Sequence, residues 1–194
     1  MLMKKTALLL LLTLSAISFA QEKNAITEEV QKKHEIKINA LSLIAFEWVD
    51  ISYEYLINKE SSVGIGTLFS FNSDTFLDNY KTFSLTPYYR RYFSKEYAKG
   101  FFIEGFGMFN RYKVTSKHYK YNNDDYGYND YTTSTKYLNN IAVGVSVGGK
   151  FVTENGFVAE IYLGFARNFI KHSAKYDYDN KIVGRGGISL GYRF

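Results

Sequence analysis

The last thirteen residues, Ile182 to Phe194, read IVGRGGISLGYRF. Ile182, Gly184, Gly186, Ile188, Leu190, Tyr192 and Phe194 fall on one face, and Val183, Arg185, Gly187, Ser189, Gly191 and Arg193 on the other. Alternation at a period of two predicts a β-strand with unlike faces. A wholly apolar face that finishes on two aromatic rings is a poor fit to a soluble core. It suits a strand whose outer face meets lipid and whose last rings lie at the membrane–water boundary. Leu190, Tyr192 and Phe194 are therefore expected on the strand that closes a cylinder against the first one.

The same alternation recurs along the chain. Glu35 to Leu43, Trp48 to Ile57, Ser62 to Phe71, Phe83 to Phe93, Phe101 to Tyr112, Asn139 to Phe151 and Phe157 to Asn168 each read as a strand, with a short join near Ala45 to Glu47. With the terminal segment they make eight, an even number as bacterial barrels require. Asn58 to Ser61, Ser94 to Lys99 and the Asn155-Gly156 turn are short, whereas the connections 72–81, 113–138 and 169–181 are long and polar. Short turns at one end and long loops at the other are the outer-membrane arrangement. Pro87 lies within a strand, where its missing N–H argues for an edge or a bulge. The register of 101–112 is set by turning Glu104 inward, because a carboxylate facing lipid is unfavourable. Phe102 and Phe106 then also face inward. The predicted fold class is all-β: a closed, eight-stranded antiparallel transmembrane β-barrel over 34–194.

Residues 1–20 carry Lys4 and Lys5, an apolar run from Thr6 to Leu14, and Ser18-Phe19-Ala20, and so read as a signal peptide. Residues 21–33 form a polar lead-in. Removing the signal lowers the formal net charge from +5 to +3 by subtracting the two lysines. No later run of about twenty apolar residues remains to form a helical span. Aromatic residues make up 18% of the chain, mostly Tyr and Phe, more than a soluble core needs and well matched to two interfacial belts. A mean hydropathy of -0.23 fits strands with one polar face and excludes a helical membrane protein. The absence of cysteine excludes a disulfide framework and an N-terminal lipidated Cys.

The inward positions collect charges of both signs: Lys37, Glu54, Arg90, Glu104, Lys150, Glu160, Arg185 and Arg193. Eight strands leave an interior only wide enough for side chains, and enclosed charges must be paired. A salt-bridge network centred on Arg90 and Glu54, Glu104 and Glu160 is expected, either as a plug or as the wall of a gated pore. The inward glycines, Gly64, Gly66, Gly144, Gly148, Gly164, Gly187 and Gly191, have two readings. They make room for Tyr88, Tyr92 and Tyr162, or they line a small cavity.

Catalytic, cofactor and metal sites find no support. His34, His118 and His172 show no metal-ligand spacing. His172-Ser173 with Asp177 or Asp179 supplies the residue types of a hydrolase, and His118 with Asp124, Asp125 and Asp130 those of a cation site, but any polar loop does as much. The 113–138 segment sets Tyr119, Tyr121, Tyr126, Tyr128, Tyr131 and Tyr137 among charges and Asn. That pattern fits an extracellular partner-binding loop, or an upward extension of strands five and six. Nucleic acid is an unsuitable partner for an exported barrel.

Ile36-Lys37-Ile38-Asn39, Tyr53-Glu54-Tyr55, Pro87-Tyr88-Tyr89-Arg90-Arg91-Tyr92-Phe93 and Gly191-Tyr192-Arg193-Phe194 resemble segments of the small outer-membrane barrels of the OmpA-transmembrane and OmpX kind. They resemble more closely a family of bacterial outer-membrane proteins defined only as a domain of unknown function. The resemblance implies the barrel and brings no catalytic residues. The expected function is a non-enzymatic outer-membrane barrel without cofactor, structural or partner-binding, embedded in outer-membrane lipid and delivered to barrel-assembly machinery through its C-terminal strand. A narrow pore for small solutes and a soluble, lipocalin-like exported barrel with an apolar ligand inside are the alternatives.

Overall fold

The computed structural model describes residues 32–70, 79–120, 130–170 and 181–194. The signal and lead-in expected over 1–31 lie outside these residues. Eight antiparallel strands close into a barrel in chain order: β1 (His34–Asn39), β2 (Trp48–Leu56), β3 (Ser61–Ser70), β4 (Asn79–Tyr92), β5 (Gly100–Lys120), β6 (Asp130–Val152), β7 (Phe157–Asn168) and β8 (Ile182–Arg193). The cylinder closes where β8 pairs with β1, Tyr192 opposite Ile36 and Leu190 opposite Ile38. Phe194 adds a reciprocal pair of backbone hydrogen bonds with His34, at 2.8 and 3.0 Å. Among the described residues no helix is long and apolar enough to cross a membrane.

The pleat separates two chemistries. On β6, Ile141, Val143, Val145 and Val147 point out of the cylinder, each at least 49% exposed. On β7, Ile161, Leu163 and Phe165 do the same. Ionised side chains from every strand but β3 point in. The lipocalin-like alternative, with its apolar face inward and its charges outward, does not match this arrangement: the charges are enclosed and the apolar stripes of β6 and β7 are outside.

Two further expectations are corrected, and the open reading of 113–138 is decided. The first strand ends at Asn39 rather than running to Leu43. Residues 40–46 instead form a short helix, α1 (Ala40–Phe46). Asn39 caps it, its Oδ1 accepting from Ser42 N at 3.2 Å, and Glu47 ends it in the left-handed region at φ 57°. Ala and Leu favour helix, and their mixed apolar run hid the change of period. Of the two readings of 113–138, the described residues have the upward extension of strands five and six. β5 and β6 pair in unbroken register from Gly100↔Lys150 to Lys120↔Asp130. Residues 121–129 lie outside the description. Lastly, Pro87 is on neither an edge nor a bulge. Its pairing with Ile65 of β3 is continuous, while the β4–β5 ladder skips Thr86 and Pro87 and resumes in the same register. The bulge in β4 lies between Lys81 and Phe83.

A turn packs across the short-turn end. The turn between β4 and β5 folds beneath the cylinder, where Ala98 N donates to Lys59 O at 2.8 Å. Ala98 is fully buried and packs with Leu56, Tyr92, Phe102 and Tyr162. Arg193 reaches from β8 to the same turn and donates to Tyr97 O at 3.0 Å and Ala98 O at 2.8 Å.

Candidate functional site

The buried ionic layer is built from strand register. Inward residues that face each other across neighbouring strands include Arg90 and Glu104, Lys150 and Glu160, Glu35 and Arg193, and Glu35 and Glu54. The first three pairs are opposite in charge. The last is like-charged and is held together by cations reaching across the lumen: Lys150 Nζ lies 2.7 Å from Glu35 Oε2 and 2.8 Å from Glu54 Oε1.

Arg90 occupies the centre. Its Nε donates to Glu104 Oε2 at 2.6 Å, and its Nη1 to Glu54 Oε2 at 3.0 Å. Nη1 and Nη2 together grip Glu160 at 2.8 and 3.1 Å. The guanidinium plane rests on Phe102, with 4.2 Å from Cζ to the ring centroid, and on Tyr88 at 4.6 Å. A rigid planar fork with five donors is suited to join three carboxylates in this way, where an ammonium would act as a point charge.

Each carboxylate has further donors. Glu54, fully buried, also accepts from Lys37, from Ser62 Oγ at 2.6 Å and from Tyr92 OH. Glu160 accepts from Lys37 Nζ at 2.9 Å. Glu104 accepts from Ser146 Oγ at 2.9 Å and from Arg185. Lys37, Glu54, Arg90, Glu104, Lys150, Glu160, Arg185 and Arg193 are thus all brought into one connected system.

Sequence reasoning left Glu35 out of that set. It is fully buried and joins Lys150 to Arg193, whose Nε donates to Glu35 Oε1 at 2.8 Å. Its alternation with Lys37 was the available signal. Asp50 and Lys81 were also missed. Asp50 is inward on β2, and Lys81 is turned inward by the bulge beside it, opposite the buried Tyr112. Strand parity alone aligns Lys81 with the outward Phe83 and Leu85.

The inward glycines divide between the two expectations. At Gly64 a side chain would run into the Tyr88 ring, and at Gly148 into Phe102. Gly187 makes space for Asn39, and Gly191 for Lys37. Gly66 differs: a methyl placed there meets nothing nearer than 3.8 Å. It lines a cavity of about 240 Å³ above the ionic layer, together with Ser42 and Phe46 of α1, Asp50, Lys81 and Arg185.

Among the described residues no group of three or more His, Cys, Asp or Glu side chains is placed to hold a metal ion. Asp124, Asp125, His172, Ser173, Asp177 and Asp179 lie outside the described residues. The backbones of His118 and Asp130 belong to the β5–β6 ladder.

Comparison with known proteins adds a family. Residues 7–185 match the family described as "Protein of unknown function (DUF3575)". The crystal structure of the N-terminal beta-barrel domain of Pseudomonas aeruginosa OprF is similar over 84% of this chain and 98% of that one, at 11% identity and a TM-score of 0.42. No curated protein matches the chain.

Proposed function

The chain belongs to the DUF3575 family, and we propose that it is a non-enzymatic integral protein of the bacterial outer membrane. In this reading its lumen is closed by an ionic plug, and its projecting β5–β6 ribbon meets a partner or stabilises the envelope. The observation that carries the reading is the inversion of the pleat. Val145 is 52% exposed on the outside while Glu54, on the inside, is fully buried. Water does not favour that arrangement, and hydrocarbon does.

Two supports are independent of the inversion. β2, Trp48–Leu56, has nine residues, within the roughly 9–11 that a tilted strand needs to cross a bilayer. Aromatic rings also gather at two levels. His34, Tyr53 and Phe194 associate near the short-turn end, with His34 Nδ1 2.7 Å from Tyr53 OH and its ring 5.8 Å from Phe194. Phe69, Phe83 and Phe109 associate near the other end, with centroids 5.2 and 6.3 Å apart. Aromatic rings near both ends of the strands fit the girdles that flank the apolar band of membrane barrels.

The plug is favoured over a pore because the ionic layer spans the lumen and a turn packs across one end. The ribbon is favoured as the contact surface because Thr115 to Lys120 pair with Asp130 to Thr135 beyond the reach of β4 and β7.

Fractionation with outer-membrane markers, and a mobility difference between unheated and boiled samples in SDS, test residence and closure. Planar-bilayer recording tests the plug, with no steady open conductance expected. Recovery in the soluble exported fraction would overturn the membrane reading, and large steady currents would replace the plug with a pore.

A further inference from the structure

The cavity above the ionic layer contains a charge the plug does not use. Lys81 Nζ has the thioether of Met108, at 3.9 Å, as its hydrogen-bond partner among the described residues. A sulfur is a weak acceptor for an ammonium. Asp50 lines the same cavity, but its Oδ2 accepts from Asn39 Nδ2 at 3.0 Å, and it makes no ion pair with Lys81 among the described residues. The third charge, Arg185, is already bound to Glu104. One ammonium therefore faces the space with no ion pair among the described residues, although the Asp50 carboxylate shares the lining.

Its presence there is a result of the backbone. The bulge between Lys81 and Phe83 inserts Thr82, whose hydroxyl donates to Arg111 O at 3.0 Å. That insertion reverses the parity of β4 and turns Lys81 from the outer face to the inner one. Bulges commonly re-aim a side chain in this way. The adjoining strand leaves room at Gly66, where an added methyl would meet nothing nearer than Arg185 at 3.8 Å and Ser52 and Thr86 at 3.9 Å. Phe46 and Trp48 stack at the rim with centroids 4.9 Å apart, and Ser42, Ser84 and Thr86 complete a lining of mixed polarity.

We propose that this cavity binds a small carboxylate-bearing solute, with the carboxylate held by the Lys81 ammonium. The space of about 240 Å³ corresponds to roughly eight waters' share of liquid, enough for a hydroxy acid as small as glycolate. Asp50, a carboxylate on the same wall, selects for ligands that also carry a hydrogen-bond donor and against dianions. The proposal does not depend on whether the barrel conducts, since the site lies wholly on one side of the plug.

Trp48 is the sole tryptophan of the chain and lines the cavity, so its emission reports on this site alone. The purified protein in detergent micelles is titrated with sodium glycolate at constant ionic strength, with ethylene glycol and sodium chloride as controls. A saturable change in Trp48 emission with glycolate, and none with either control, is expected. Lys81→Met should weaken it about tenfold or more, the scale of one charge-assisted hydrogen bond. Gly66→Leu, which fills the space from a position where an added methyl would meet its nearest atoms at 3.8–3.9 Å, should abolish it and serves if Lys81→Met does not fold. Arg91→Met, an exposed cation paired with Glu60 at the turn end, should leave it unchanged. A linear response to glycolate, or equal affinity in the wild type and the folded cavity variants, overturns the proposal.

Discussion

Arg90 on β4 and Glu160 on β7 grip each other bidentately across the barrel axis, at 2.8 and 3.1 Å, although their strands are not neighbours in the sheet. A contact of this kind ties opposite walls of the cylinder together, which ladder hydrogen bonds between adjacent strands do not.

Arg90→Met should be strongly destabilising. It leaves Glu54, Glu104 and Glu160 short of a shared cation in a dry interior, and removing one member of a buried ion pair typically costs about 3–5 kcal/mol. Urea titration of the folded, heat-modifiable form should show the midpoint fall by a corresponding amount. Arg91→Met, on the neighbouring outward position with Glu60 at 2.7 Å, should change stability by less than about 1 kcal/mol.

Val145→Arg tests the outer face. Midway along the outward stripe of β6, the substitution should cost about 2–4 kcal/mol for folding into lipid vesicles, the figure for a basic residue at the bilayer midplane. Tyr137→Arg, on the exposed ribbon beyond the β7 pairing, should cost about 0–1 kcal/mol in the same assay. Equal effects at the two positions would count against a membrane belt.

Gly64→Val and Gly105→Ala should differ sharply. A side chain at Gly64 collides with the Tyr88 ring and with Tyr53 O at 2.7 Å, so overpacking of about 1–3 kcal/mol is expected. Gly105 faces outward with nothing within 4 Å, and its substitution should fall within about 0.5 kcal/mol of wild type. Thermal unfolding followed by gel mobility separates the two.

Asn39→Ala should loosen α1. Asn39 caps the helix and also donates to Asp50 Oδ2 at 3.0 Å, Tyr162 OH at 3.3 Å and Gly186 O at 3.3 Å. Loss of the cap alone is worth about 1 kcal/mol. Amide exchange should accelerate over 42–46 while the β5–β6 ladder keeps its protection; unchanged exchange in α1 would show that the cap does not hold it.

The barrel was legible wherever one face of a strand is apolar. Glu104 shows why: once lipid is excluded for a carboxylate, the register of Phe102, Phe106 and their neighbours follows, and the structure has all three buried. The ribbon above the belt was legible only as one of two readings, because Lys113 to Lys120 and Asp130 to Leu138 are largely polar on both faces and period two leaves little mark there. The helix at Ala40–Phe46 was hidden for the opposite reason: residues apolar in nearly every position fit either period. Lys81 needed the bulge, which no residue type in 79–83 announces.

By itself, the sequence determined the strand count, the direction each face points and the sign of the charges enclosed, since these follow from local alternation and from the cost of placing an ion in hydrocarbon. Which of those charges touch was decided only by closure. Cross-axis partners such as Lys150 with Glu35, or Arg90 with Glu160, depend on strand tilt and stagger, and these are properties of the closed cylinder rather than of any segment.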